Sequence, residues 1–401
     1  MPEPVIVAAT RTPIGRAMKG SLVDVRPDDL AAFAVGAAME QVPELDPTEV
    51  EDLILGCGLP GGESGFNMGR VVATLLGWST VPGTTITRYC ASSVQAMRMA
   101  AHAIKAGEGD VFVAAGVETV SRFVNGSSDT GPHNPAFAEA EARTTATAEA
   151  GAEAWEPPSG LPDIYIPMGQ TAENVARLKG VSRQRMDEFA ALSQQRAVES
   201  QKNGFFAREI SPFKLPDGTV VGTDDGPRPG TTVEKLAELQ PVFRPNGLIT
   251  AGNACPLNDG AAATVIMSDT RATALGIQPL ARIISTGVTA LDPEIMGLGP
   301  IEASKQALAR AGMTIDDVDL VEINEAFAAQ VIPSADELGI EWDKLNVNGG
   351  SIAVGHPFGM TGARIMATLL NGLQTADKSI GLETMCVGGG QGMAIIVERL
   401  G

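Results

Sequence analysis

Cys90 closes a β-rich run, Thr85-Ile-Thr-Arg-Tyr-Cys90, and a helical pattern begins directly behind it. A cysteine at a helix N-terminus faces unpaired backbone N–H groups and the positive dipole end, which lowers its pKa toward the thiolate. That placement suits a covalent nucleophile, although a free cysteine is also among the most commonly buried side chains. His356 sits between glycine turns in Gly355-His-Pro-Phe-Gly-Met-Thr-Gly362, just ahead of a helix. A histidine so placed can act as a general base or an oxyanion donor, or serve as a hydrogen-bonded structural residue. Asn324-Glu-Ala-Phe327 directly follows a strand pattern, and strand C-termini are where α/β sheets hold ligands. Cys386 ends a further strand in Cys386-Val-Gly-Gly-Gly-Gln-Gly392, where glycines such as Gly388 leave backbone N–H groups bare for an oxyanion. Taken singly, each of the last two also reads as an ordinary turn.

The elements that must position these groups form an internal repeat, displaced by roughly 270 residues. The first copy runs from a helix over Pro27 to Gln41 through strands at Leu53–Leu55 and Thr84–Thr87. A helix from about Cys90 to Gly107 and a strand at Val111–Ala115 complete it. The second copy runs from a helix over Pro300 to Ala311 through strands at Asp319–Ile323 and Leu345–Val347. It ends with a helix from about Thr361 to Leu373 and a strand at Ile380–Cys386. Alternating strands and helices imply mixed, mostly parallel sheets covered by helices, hence an α/β fold of two similar βαβ-rich halves with the site between them. We expect an N-terminal half over 1–121, completed by about 251–270, and a C-terminal half over 271–401.

Residues 122–250 form an inserted loop domain of different character. Phe137–Trp155 is rich in Ala, Glu and Thr and reads as an exposed helix or a mobile excursion. Further on, helices are expected over about Met168–Leu178 and Ser182–Asn203. Bases concentrate there: Arg177, Lys179, Arg183, Arg185, Arg196, Lys202, Arg208, Lys214, Arg228, Lys235 and Arg244. They form either a solvated helical face or a landing site for a polyanion.

Elsewhere the chain is acidic, with a net charge of −19 over 401 residues, which argues against a nucleic-acid or anionic-membrane partner. No stretch approaches the roughly 18 apolar residues of a membrane span, and the N-terminal run lacks the basic start of a signal peptide. Four cysteines in a chain this long do not suggest a disulfide framework, so a cytoplasmic protein is expected.

In combination, Cys90-Ala-Ser-Ser93, Asn324-Glu-Ala-Phe327, the Gly355–Gly362 loop and the Cys386–Gly392 turn resemble the thiolase family in order and spacing. Gly252-Asn-Ala-Cys-Pro-Leu-Asn-Asp-Gly-Ala-Ala262 and Met168-Gly-Gln-Thr-Ala-Glu-Asn-Val-Ala176 extend the likeness, which runs from about Val5 to Leu400. The resemblance implies the thiolase-like fold and acyl transfer between coenzyme A thioesters, in the thiolytic or the Claisen direction. Coenzyme A would be a substrate, with no permanently bound cofactor or metal, and the assembly a homodimer or homotetramer. Cys90 then matches the acyl-accepting nucleophile and His356 its base. Cys386 matches the thiol that moves the α-proton. Asn324 matches the residue that holds a water, which with His356 forms one oxyanion site; the N–H groups of Cys90 and Gly388 form the other. A thioester acyl-enzyme stays reactive enough for a carbanion or a thiolate to attack, which explains the choice of cysteine. By the same resemblance Met168 and Phe327 line the acyl pocket, Cys255 meets the pantetheine arm, and Arg228 lies near the nucleotide.

Several positions depart from the family pattern. Ser93 stands for a common glycine, Thr87 for asparagine, Met360 for cysteine and Cys255 for serine, and Pro167 stands where some short-chain members have histidine. None removes a catalytic group, but they leave acyl preference open. Three other readings compete. A ketosynthase-type condensing enzyme would lack the second thiol and Asn324-Glu-Ala-Phe327. A non-catalytic lipid-binding relative should have lost one of the four groups. A dinucleotide site at Gly56-Cys-Gly-Leu-Pro-Gly61 fails because Pro60 sits in the turn and no helix opens there.

Overall fold

The computed structural model describes residues 2–151 and 154–401. In the N-terminal half, five strands are β1 (Pro4–Arg11), β2 (Asp52–Cys57), β3 (Gly83–Ile86), β4 (Val111–Thr119) and β5 (Asn258–Ser268), ordered β3-β2-β4-β5-β1. Helices α1 (Pro27–Met39), α2 (Met68–Leu75) and α3 (Ser92–Ala106) connect them. Pro27 in the first turn with Asp28 and Asp29 behind it starts α1, and Gly107 in the left-handed region (φ 76°) stops α3.

The insertion between β4 and β5 holds α4 (Ala138–Ala150), α5 (Met168–Leu178) and α6 (Arg183–Lys202). The Ala/Glu/Thr-rich stretch is thus an exposed helix, in which only Ala140 is buried; residues 152 and 153 of that stretch lie outside the described residues. Its return is pinned by Glu294, whose carboxylate accepts from Arg143 Nη2 (2.7 Å), Trp155 Nε1 (2.8 Å) and the Asp163 N–H (3.0 Å).

The C-terminal half repeats the first. Its strands are β6 (Ala281–Ala290), β7 (Leu320–Ile323), β8 (Ile380–Val387) and β9 (Gln391–Arg399), with helices α7 (Gly299–Ala311), α8 (Ala328–Leu338) and α9 (Thr361–Ala376). The order is β7-β8-β9-β6, and Leu345 adds a parallel bridge outside β7, where β3 stands in the other half. In each half, pairing is parallel on the outer flank (β3-β2-β4 and β7-β8) and antiparallel toward the middle (β4-β5-β1 and β8-β9-β6). The parallel, helix-connected strands of both copies stand where the sequence places them, whereas β1, β5, β6 and β9 are additional to the expected strands. The Leu345–Val347 strand shrinks to that single bridge.

The halves meet along a short ladder, Val5 opposite Arg282 and Ile6 opposite Ala281. What joins them more firmly is a central layer. Alternate strand residues such as Ile54, Phe112, Ile266, Met385 and Ile395 face inward and enclose Met97 and Ile104 of α3 with Ile365, Met366 and Leu369 of α9. The other strand faces pack outward, against α1 and α2 in one half and against α7, α8 and the insertion's α5 and α6 in the other. Strands buried on both faces read as apolar runs, because neither face meets water. Each fully buried Leu, Ile or Met contributes about 1.5–3 kcal/mol, so the α3–α9 layer is a rigid platform for whatever its helix N-termini carry.

Candidate active site

The N-termini of α3 and α9 bring Cys90 and His356 together. Tyr89–Ala91 form a 3-10 turn feeding α3, and Tyr89 takes φ +44°, a left-handed value that costs a non-glycine residue of order 1 kcal/mol. The kink is held by Arg88, whose backbone N–H donates to Ser92 Oγ (2.9 Å) and whose guanidinium reaches Gln391 Oε1 (2.6 Å) beside the Cys386 turn. Cys90 ends up 9% exposed. Burial pushes its thiol up to about 12, with the Glu118 carboxylate adding to the rise, while the N–H groups of Cys90 and Gly388 pull the other way. The helix N-terminus therefore does not make a resting thiolate, contrary to the sequence expectation: desolvation outweighs it. The thiol has to lose its proton to a base.

His356 carries the tautomer that a base requires. Its backbone N–H donates to Asn258 Oδ1 (3.0 Å). Thr361 Oγ1 gives its own hydrogen to Pro357 O (2.8 Å), so it can only accept from His356 Nδ1 (2.6 Å). The proton sits on Nδ1, and Nε2 presents a lone pair, 3.2 Å from Asn324 Nδ2. Burial, helped by the nearby Arg364 charge, depresses the imidazole to about 3, which keeps it neutral.

The loop bearing His356 can lie against the N-terminal half because the backbones there are bare. A Cβ on Gly116 would stand 2.0 Å from Gly359 O, and one on Gly359 would stand 2.5 Å from Val117 O. Glu118 fastens this contact: its buried carboxylate accepts from the N–H groups of Gly58 (2.7 Å), Leu59 (3.2 Å) and Gly359 (2.9 Å). Burial raises it to about 7 in spite of those three donors.

Cys386 lies at the end of β8 with no exposure, its thiol pushed well up by burial and by the neighbouring Cys90 and Cys255 sulfurs. Gly388 faces Tyr89 and Met168; a Cβ there would lie 3.4 Å from the Tyr89 ring and 3.8 Å from Met168 Sδ. Phe327 packs edge-on to Phe243 and pairs with Ala254, while the Cys255 N–H donates to Ala326 O (3.0 Å), which draws Cys255 beside the Asn324 segment. Cys90, His356, Cys386, Asn324, Gly388, Met168, Phe327 and Cys255 thus assemble in one place.

Arg228 stands apart, in a cleft with Arg16, Gln194, Leu236, Gly252 and Pro256. Pro256 adjoins Cys255, so the cleft leads toward the cysteines. Burial and the like charge of Arg16 lower the Arg228 pKa, and among the described residues neither guanidinium has an acidic partner. Most of the other bases of the insertion do structural work. Arg183 pairs with Asp187, Arg185 with Asp336 and Lys179 with Glu337; Arg196 caps carbonyls at Trp342 and Leu345, and Arg244 is buried against Gln170 and Asn174. In the cleft Arg228 is joined by Arg16, which sequence reasoning did not single out. It also missed Tyr89, Glu118, Asn258, Ser351, Thr361 and Arg364. Only Glu118 carried a signal, a carboxylate within an otherwise apolar strand.

The arrangement offers a shielded thiol, a neutral base, a pair of N–H groups beside the thiol, a second thiol and an amide donor. That is the equipment for forming an acyl-enzyme and for holding an oxyanion during carbon–carbon bond chemistry. Among the described residues no helix is long and apolar enough to cross a membrane.

Comparison with known proteins agrees with this inventory. Residues 4–270 match the family description "Thiolase, N-terminal domain" and residues 277–399 match "Thiolase, C-terminal domain". A 3-ketoacyl-CoA thiolase of Aeromonas salmonicida is 42% identical over 409 residues, covering 100% of both chains. A beta-ketoadipyl-CoA thiolase of Acinetobacter baylyi is 42% identical over 404 residues, covering 98% of this chain and 99% of the other. Among solved structures, human mitochondrial 3-ketoacyl-CoA thiolase aligns with a TM-score of 0.86 at 33% identity, over 100% of this chain and 99% of that one. A Bacillus anthracis acetyl-CoA acetyltransferase aligns at 0.85 and 37%, with the same coverage.

Proposed function

The chain belongs to the thiolase family, and from that premise we propose that it cleaves 3-ketoacyl-CoA with coenzyme A, or runs the reverse condensation, through an acyl group on Cys90. What supports this reading is that Cys90, the Gly388 N–H and Cys386 are neighbours, and that the Asn324 segment drawn beside Cys255 brings the lone pair of His356 Nε2 to the same site. His356 takes the Cys90 proton as the thiolate attacks the ketone. The N–H groups of Cys90 and Gly388 receive the oxygen of the tetrahedral intermediate, and Asn324 with His356 steadies the enolate. Cys386 gives its proton to the α-carbon and regains one from the coenzyme A thiol, whose sulfur attacks the Cys90 thioester; the Cys90 thiolate released takes back its proton from His356. Coenzyme A enters as substrate, and no permanently bound cofactor has a part. The activity assay is loss of a 3-ketoacyl-CoA in the presence of coenzyme A, run over a series of acyl lengths. The wall of Tyr89, Met168 and Phe327 supports an apolar acyl chain. Absence of thiolysis at every length would refute the proposal.

Four free cysteines support a reducing, cytoplasmic setting, and the long exposed face of α4 supports a homo-oligomer, dimer or tetramer. Two tests address the site itself. Limited iodoacetamide should label Cys90 before half-buried Cys255, because the Cys90 sulfur faces two backbone N–H groups, its own and that of Gly388, where Cys255 has its own. Peptide mapping that found Cys255 or Cys57 labelled first, with activity lost in step, would contradict the assignment. Arg228→Glu should raise the Michaelis constant for coenzyme A with turnover nearly unchanged, since the Arg16–Arg228 cleft lies away from the reacting carbon. Collapse of turnover at unaltered affinity would put the nucleotide elsewhere.

A further inference from the structure

Behind the site lies a hydrogen-bonded line whose direction is fixed at its far end. Arg364, fully buried on α9, donates from Nη2 to Ser351 Oγ (2.7 Å). A guanidinium can only donate, so the serine hydroxyl must spend its own hydrogen elsewhere. It gives that hydrogen to Asn324 Oδ1 (2.6 Å). With its oxygen so occupied, the Asn324 amide turns its NH2 toward His356 Nε2. That nitrogen must then accept, which agrees with the proton on Nδ1 deduced from Thr361. Every bond from Arg364 to the Pro357 carbonyl therefore points the same way. Around the origin of the line, Glu322 and Glu383 lie opposite each other on β7 and β8, both buried, and burial raises both carboxyls, Glu322 to about 8.

We propose that Arg364 is a positioning residue for the Asn324–His356 pair, acting through Ser351 to set which way the Asn324 amide faces. An amide with its oxygen toward His356 would favour a proton on Nε2 and remove the lone pair the base needs. The same flip would withdraw the N–H donor offered to a developing oxyanion. Nothing in the side-chain geometry of Asn324 alone forbids that flip; the serine hydroxyl, polarised by Arg364, does. The inference rests on the proposed roles of Asn324 and His356, and its test separates the two.

Thiolysis is measured for Ser351→Ala, Arg364→Lys, Asn324→Ala and the double variant Ser351→Ala/Asn324→Ala. Ser351→Ala removes one oxygen and leaves the packing, so it serves if Arg364→Lys fails to fold. Expected is a fall in turnover of about 10- to 100-fold for Ser351→Ala, the size of a small misplacement in an active site, with the Michaelis constant for coenzyme A unchanged. The double variant should be no worse than Asn324→Ala alone, because the serine acts only through that amide. Wild-type turnover in Ser351→Ala would overturn the inference, as would a double variant that multiplies the two losses. Full activity in Asn324→Ala would overturn the functional reading and take this inference with it.

Discussion

Cys90→Ala is expected to abolish turnover and every covalent intermediate, whereas Cys386→Ala should still accept one acetyl group from acetyl-CoA. The Cys90 sulfur lies close enough to raise the Cys386 pKa through charge, yet the surroundings of the two differ. Cys90 has two backbone N–H groups aimed at it; Cys386 is sealed at the end of β8 with no exposure. On the proposed roles, the first carries charge and a bond, and the second stays protonated until a carbanion forms beside it. Intact-protein mass spectrometry should show an adduct of about 42 Da, an acetyl group replacing hydrogen, on Cys386→Ala and none on Cys90→Ala. The same Cys386→Ala protein should fail to exchange the methyl protons of acetyl-CoA with solvent deuterium. Its turnover should drop by roughly two to four orders of magnitude, the usual size of a general acid–base contribution. An adduct on Cys386 in Cys90→Ala, or none in Cys386→Ala, would reverse the roles.

The second large effect concerns stability. Arg11 at the end of β1 is completely buried, and its guanidinium is shared between Asp224 (2.7 and 3.0 Å) and Glu209 (2.7 Å). Asp224 also accepts from the Ile14 N–H (2.8 Å). Asp224→Ala leaves a buried cation half-paired and orphans that N–H, a loss of about 3–5 kcal/mol. The urea midpoint should fall markedly, and affinity for coenzyme A should fall too, because the segment leading to Arg228 loses its anchor on β1. An unchanged midpoint would mean that water reaches Arg11.

The parts of this molecule that were legible in the sequence are those with a period or a motif. Helices α5 and α6 fell within a residue of their expected bounds because caps and apolar spacing mark them, as Ser182 does by accepting from the Arg185 N–H. The repeat was legible because both copies bury the same faces. Cys90, His356, Asn324, Cys386 and Gly388 could be named together because their motifs occur in a set order. The cost of burial could not be read. Cys90 sits at a helix start in either view, but only the folded surroundings reveal that desolvation overrides the dipole. The basic insertion misled for a similar reason: a charge run does not disclose that Arg183, Arg185 and Arg244 are already engaged. Ser351, Thr361 and Arg364 remained invisible because a polar side chain inside a glycine-rich loop or an apolar helix has no pattern until its partner is placed.

The two halves joined at Val5–Ile6 and Ala281–Arg282 also bear on how such a molecule diverges. At the repeat's spacing, the counterpart of Cys90 ahead of α3 is Met360 ahead of α9, a fully buried thioether against Gly260. One head of the central layer bears the thiol proposed to react while its twin fills space. The proposed nucleophile comes from one half, and His356, Asn324, Cys386 and Gly388 come from the other. Mutation can therefore retune one twin while the other preserves the scaffold, yet a fragment carrying either half by itself would be chemically mute.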